Sequence, residues 1–378
     1  MKPNQRLKIG EGKISGYLAI FLAIICFIAT ICAYFPEYLT TSDFRAFYDP
    51  NYIKFTFLII LVLSFGFSLT SFLLSKKTKL GFFAILVIAS SIFLASGLPE
   101  YQEIESKSFT IGMDWLLIDI LISAIIFIPM ELFLPKRPEQ TKFHSEWRTD
   151  LTYFIISHLL IQIIGVIVQF PAVKAFSSIG LTNFQTLIQG IWFIPQLFIA
   201  LFISDLFQYF SHYFFHKIPY LWRFHSVHHS IKHIDWLAGS RIHFVDLIIV
   251  RSFSFLPLYV FGFSSSVFVT YIIIVSIQAV LAHTNTRINF GFLRYVFVTP
   301  QYHHWHHSDD PQAYNKNFAI HFPFIDMMFG TYYPIGNKWP ESTGLGKVEF
   351  PKGFIHQFIF PFIKNPTNDN AVDNPSKR

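Results

Sequence analysis

Six stretches of this 378-residue chain are apolar and close to 20 residues long: 16–35, 53–74, 80–98, 115–134, 151–171 and 189–210. That is about the length a helix needs to cross the ~30 Å hydrocarbon core of a bilayer. A seventh, 245–282, is interrupted by Asp246, Arg251 and Pro257, and reads as two short helices or a re-entrant hairpin with its tip near "FGFSSS". Inside lipid a backbone must satisfy its own hydrogen bonds, so unbroken apolar runs of this length fold as helices. The expected fold is an all-α, polytopic membrane helical bundle. Composition agrees, because only 14% of residues are charged, against about 25% in soluble domains. The net charge of +6 does not mark a nucleic-acid binder. The Lys and Arg residues cluster at the ends of apolar runs, where anionic headgroups are the natural partners. Cys26 and Cys32 both lie in the first run and read as packing residues, too few for an iron–sulfur cluster, which takes about four thiolates. That run follows a basic segment like a signal peptide, but it is long and lacks a small-x-small cleavage site, so it reads as a retained helix.

Loop charge gives an orientation. The N-terminus carries Lys2, Arg6, Lys8 and Lys13; the first loop, near 36–52, is mixed; "SKKTK" (75–79) is basic; "PEYQEIESKS" (99–108) is acidic; "PKRPEQTKFHSEWR" (135–148) is basic; and the loop near 172–188 holds only Lys174. Basic loops alternate with the others, which by the positive-inside rule places the N-terminus in the cytoplasm. The sixth run then returns the chain to the cytoplasm near residue 211.

The histidines begin there. Thirteen of the chain's 16 fall between 212 and 321. "HYFFH" sets His212 and His216 at i and i+4. "FHSVHH" gives His225, His228 and His229 at i, i+3 and i+4. "HHWHH" repeats that spacing with His303, His306 and His307, and His304 falls off the face. Helical spacing points each set at a common centre. Eight imidazoles exceed what one metal binds, since a structural zinc takes about four ligands, and suit two metals with open positions. Imidazole alone does not choose among Zn, Cu, Fe and Ni. There is no HExxH to supply a protease's general base, and neither GxSxG nor a P-loop occurs. A metal held by neutral nitrogens is a strong electrophile. With iron and dioxygen, such a site is suited to attack an unactivated C–H bond. A metal transporter would instead place polar ligands near the bilayer midplane, where these runs have almost none.

"DLFQYFSHYFFHKIPYLWRFHSVHHS" (205–230) resembles the first two histidine boxes of the sterol desaturase and fatty acid hydroxylase superfamily, membrane-bound non-haem di-iron oxygenases. "AHTNTRINFGFLRYVFVTPQYHHWHHSDD" (282–310) resembles its later histidine region, and "NKNFAIHFPFIDMMFGTYYP" (315–334) its ending. Two positions depart from the family pattern: Tyr213 stands where an arginine is common, and Ile325 where a tryptophan is usual. The resemblance covers about 205–334. It implies metal ligation by His212, His216, His225, His228, His229, His303, His306 and His307. It adds His283, about twenty residues before the last box, and His243, in an "HPxD/E"-like segment where Phe244 replaces the proline. Asp205 and Tyr209, on the helix face leading to His212, are expected to orient the site, because metal-bound imidazoles usually donate their other N–H to a carboxylate or carbonyl. Asp309, Asp310, Asn317 and Asp326 are candidates to order the loop after the last box.

The resemblance implies two iron ions, a lipid substrate from the bilayer, and a separate electron donor (a cytochrome, ferredoxin or reductase). The product would be an alcohol or an alkene. The superfamily also includes a pterin-dependent ether-lipid branch. The expected organisation is four N-terminal spans in 1–150, an oxygenase domain in 151–335 with a cytoplasmic histidine-rich helical cap, and a tail in 336–378.

Overall fold

The computed structural model describes residues 10–41, 45, 49–74, 79–98, 110–177, 181–334, 336, 338–346 and 348–363. Lys2, Arg6 and Lys8, residues 75–78 of the basic loop, the acidic 99–108 loop and the tail beyond 363 lie outside the described residues. Among those described, helices are the regular structure, beside one isolated antiparallel bridge between Ser308 and Thr343. The chain forms two compact units, Met1–Leu121 and Ile122–Arg378.

In the first unit lie α1 (Lys13–Tyr34), α2 (Pro36–Leu39), α3 (Pro50–Leu74), α4 (Lys79–Ala95) and the start of α5 (Met113–Phe133). Ala19, Ala23 and Cys26 of α1 pack with Leu61, Ala84 and Ile88. Between lipid-immersed helices the hydrophobic effect gives no drive, so small residues and hydroxyls hold the interface. Gly81 shows this, since a Cβ there would sit 2.7 Å from the Ser68 carbonyl. Ser64 Oγ donates to the Ala19 carbonyl at 2.8 Å. Phe55, Val62, Phe65 and Phe93 point outward, exposed, as lipid-facing residues do.

The second unit continues with α6 (Trp147–Ser177), α7 (Thr182–Gln189), α8 (Phe193–Lys217), α9 (Pro219–His229), α10 (Phe244–Phe261), α11 (Ser265–His283), α12 (Pro300–His306), α13 (Pro323–Met328) and α14 (Phe354–Ile359). α10 packs against α6 and α8, and α11 against α8 and α12. The interrupted stretch is two helices of 18 and 19 residues. They turn at Gly262, whose φ of 73° closes α10 with a left-handed cap, a conformation glycine adopts freely. Both are long and apolar enough to cross a membrane, as are α1, α3, α5 and α8. α4 is shorter than its apolar run, at 17 residues. α6 reaches 31 residues, longer than its apolar run because the polar first turn and residues 172–177 are also helical. There Asp150 favours the positive end of the helix dipole and pairs with Arg241. The protein is an all-α, multi-pass membrane protein.

Candidate metal centre

Proline sets the local geometry twice. Pro219 opens α9 and holds Ile218 extended at φ −96°, ψ 113°, as the residue before a proline must be. The chain therefore breaks after α8 and α9 folds back beside it. Pro300 opens α12 behind Thr299, whose side chain caps the helix by accepting from Tyr302 N, a pairing of cap and first-turn proline that fixes where a helix starts.

Nine imidazoles meet in two neighbouring groups. His212, His216, His225, His229 and His306 form one; His228, His283, His303 and His307 form the other. Within each group the nitrogens offered lie within 4.8 Å of one another, and every one of these residues is buried. The groups adjoin: the His229 and His307 rings stack with centroids 4.5 Å apart. The helices divide their histidines by a simple rule. Positions i and i+4 go to one group (212/216, 225/229, 303/307), while the i+3 residue of each HxxHH goes to the other (228, 306). On a helix i+3 is rotated about 100° from i+4, so each HxxHH helix straddles both groups.

The hydrogen bonds fix tautomers. Nδ1 of His212 donates to the Phe318 carbonyl (2.7 Å), of His225 to Asp246 Oδ2 (2.7 Å), of His228 to the Arg241 carbonyl (3.1 Å), of His283 to the Ala279 carbonyl (2.7 Å) and of His306 to the Lys316 carbonyl (2.8 Å). These oxygens only accept, so each Nδ1 carries the proton and each Nε2 presents a lone pair inward. Burial, then the neighbouring imidazoles, holds His228, His229, His303 and His307 well below the ordinary histidine range. They are neutral, the form that binds metal. Nε2 pairs stand 3.0 Å apart at His212/His225, 3.1 Å at His229/His306, 3.0 Å at His283/His303 and 3.1 Å at His303/His307. Two ligands at right angles on bonds of about 2.1 Å would lie about 3.0 Å apart. The donor set fits a metal in each group.

Other candidates sit elsewhere. His243 is in neither group. Its Nε2 donates to the Phe358 carbonyl and its Nδ1 caps α10 by accepting from Val245 N, which leaves no lone pair for a metal. Among the described residues Asp205 is hydrogen-bonded to no imidazole; its carboxylate accepts the backbone N–H groups of Ile320, His321 and Phe322. Tyr209 bonds to Thr331 Oγ1 at 2.9 Å. His304 turns its ring to Trp339. The loop after the last box is ordered by the polar residues singled out for it. Asp326 accepts from Phe318 N, Ala319 N, Thr331 Oγ1 and the Tyr302 hydroxyl. Asn317 joins Tyr302 O to Tyr333 N. Asp310 caps the turn at 311–313, and Asp309 accepts from Ser342.

Three supports escaped the sequence reading. Asp246 orients His225, and its signal was an acid at the mouth of an apolar run. Glu131, buried in α5, accepts Trp236 N and Asn285 N and so holds the segments beside His228 and His283. Gly239 lies flat on the His283 ring, where a Cβ would fall 2.8 Å from Nδ1. Behind them His144 sits between Asp150 (3.2 Å) and Asp235 (3.5 Å). Burial pulls its pKa down, but the bonds and charges of the two carboxylates outweigh that and raise it to about 9. Asp150 also holds Arg241, whose carbonyl orients His228.

A fatty acid hydroxylase family model matches residues 197–331, the span that holds all nine imidazoles. That match and the relatives below place the histidine region in the sterol desaturase and fatty acid hydroxylase superfamily. Among its curated superfamily relatives, an ornithine lipid hydroxylase, OlsE, of Rhizobium tropici is 27% identical over 254 residues, covering 66% of this chain and 76% of the relative. An alkylglycerol monooxygenase of Xenopus tropicalis is 29% identical over 174 residues, 45% of this chain and 38% of the relative. Methylsterol monooxygenase 1-2 of Arabidopsis thaliana is 24% identical over 140 residues, 36% of this chain and 46% of the relative. No solved structure matches the chain.

Proposed function

We propose that the protein is a membrane-bound, dioxygen-dependent di-iron oxidase that hydroxylates or desaturates a C–H bond of a lipid. The observation that carries this reading is the set of five oxygen-anchored Nδ1 atoms, which leaves inward Nε2 lone pairs in two adjoining groups. Iron held there would supply dioxygen activation and hydrogen abstraction. The chain's own part is to fix the imidazoles in their binding tautomer, to keep them neutral by burial, and to hold the site dry. A cavity of about 80 Å³ reaches the histidines between α8, α10 and α11, lined by Leu247, Val250, Val275 and Ala279, and suits an apolar chain. Electrons would come from a separate cytochrome, ferredoxin or reductase. Residues 151–335 would form the oxygenase domain. The coverage of OlsE favours hydroxylation of a polar lipid, and the alkylglycerol monooxygenase match supports an ether lipid as the second reading.

The purified protein is expected to hold about two iron per chain, and cells expressing it should gain an oxygenated or unsaturated lipid missing from cells that lack it. A single tight zinc with no new lipid would end the proposal, provided iron is supplied, since zinc outcompetes iron at nitrogen sites.

The loop charges support a cytoplasmic histidine cluster. His233 is exposed and both native cysteines are buried, so His233→Cys offers a clean reporter. It should react with an impermeant thiol reagent only from the cytoplasmic side; labelling from outside would overturn the orientation and the donor's access with it.

A further inference from the structure

The segment from Asp235 to Arg241 touches the second imidazole group at two points. Gly239 lies against the His283 ring, where a Cβ would fall 2.8 Å from Nδ1, and the Arg241 carbonyl accepts from His228 Nδ1 at 3.1 Å. The first group draws its anchoring oxygens from elsewhere, from Phe318, Asp246 and Lys316. Two carboxylates hold the segment by its ends. Asp235 Oδ1 accepts Leu237 N (3.1 Å) and Ala238 N (3.0 Å) where the turn begins. Asp150 Oδ1 takes the Arg241 side chain through Nε (2.6 Å) and Nη2 (2.5 Å) where it ends. Glu131 steadies the middle through Trp236 N. The second oxygens of Asp150 and Asp235 approach a single atom, His144 Nε2, at 3.2 and 3.5 Å. His144, Asp150, Asp235 and Arg241 are all buried, so water screens these charges little.

We propose that His144 is a positioning residue for the second imidazole group, a proton donor shared by the carboxylates at both ends of the 235–241 segment. Its Nε2–H ties the two ends to one point. The segment in turn fixes the His228 tautomer through the Arg241 carbonyl and the setting of the His283 ring through Gly239. Taking one member from a buried ionic cluster leaves the others uncompensated, and here the disturbance would fall on the second group and spare the first. This rests on reading the imidazoles as a two-metal centre, and it places a support of that centre outside the histidine boxes, on the loop before α6.

The test is competition of EDTA for cobalt(II) bound to the purified full-length protein in detergent, with hydrogen exchange of the same protein alongside. It needs no turnover, so it stands apart from the oxidase test. The wild type should hold about two cobalt per chain. His144→Leu should weaken one of the two sites at least about tenfold, the usual cost of losing a support behind a ligand, and leave the other within about twofold. Backbone amides of 236–241 should exchange faster in that variant, while the α8–α9 hairpin keeps its wild-type protection. His144→Gln, whose amide N–H can stand in for Nε2–H, should restore most of the lost affinity. Asp235→Asn keeps an oxygen for Leu237 N and Ala238 N but turns its NH2 toward His144, and it should show the same one-site loss even where His144→Leu does not fold. A folded His144→Leu or Asp235→Asn protein with both sites at wild-type strength would overturn the proposal. So would equal weakening of both sites, or a His144→Gln protein no better than His144→Leu. A wild type that holds one cobalt or none would sink the two-metal reading itself, and this proposal with it.

Discussion

His303→Ala, His306→Ala and His307→Ala are each expected to abolish lipid oxidation, whereas His304→Ala should keep it within about tenfold of wild type. The first three contribute a nitrogen to one of the two imidazole groups and the fourth contributes none. The three imidazoles belong to different groups, which sharpens the expectation. His306→Ala opens the group of His212, His216, His225 and His229; His303→Ala and His307→Ala open the group of His228 and His283. Each variant should therefore fall from about two iron per chain toward about one, and His306→Ala combined with His303→Ala toward none. His356→Ala, on the exposed side of α14, is the control and should match wild type. Product per mole of folded protein and iron per chain are the two measurements. If His304→Ala lost iron as fully as its neighbours, the division by helix face would fail.

Asp205→Ala is expected to lower the unfolding midpoint by roughly 10 °C and to leave metal content unchanged in protein folded at low temperature. The carboxylate accepts three backbone N–H groups at 2.7–3.0 Å and is fully buried. Removing it orphans three donors where water does not reach, at about 1–3 kcal/mol each. Relief from burying a charge offsets part of that. Asp205→Asn should fall between the two, because an amide oxygen accepts two of the three N–H groups and its own NH2 faces the last. Thermal unfolding in detergent, with metal content alongside, separates positioning of the 320–322 backbone from positioning of an imidazole. Unchanged stability with lost iron would reverse the assignment.

The spacing of the histidines was legible, and so was the helical bundle, because period and run length are local properties. The partition was not. Nothing in "FHSVHH" says that His228 turns from His225 and His229, since that depends on where His283, His303 and His307 arrive through the fold. Asp205 illustrates the same limit. Its place on the His212 face was readable, but the groups opposite it belong to a loop more than a hundred residues on. His243 shared the company of ligands in sequence, yet its ring was claimed by helix capping and by the Phe358 carbonyl. Asp246, three residues later, holds the orienting role.

The two groups are also unequal in how the chain builds them. Four of the five imidazoles of the first lie between 212 and 229, on the α8–α9 hairpin that Pro219 creates. Its nucleus closes over a short loop, and closure is cheap when few residues intervene. The second group takes His228, His283, His303 and His307 from three separate helices. A ribosome that has made the chain as far as residue 290 has delivered four imidazoles of one group and only two of the other. The second group is a late product of synthesis, and it exists only once the last box has come back to meet the first.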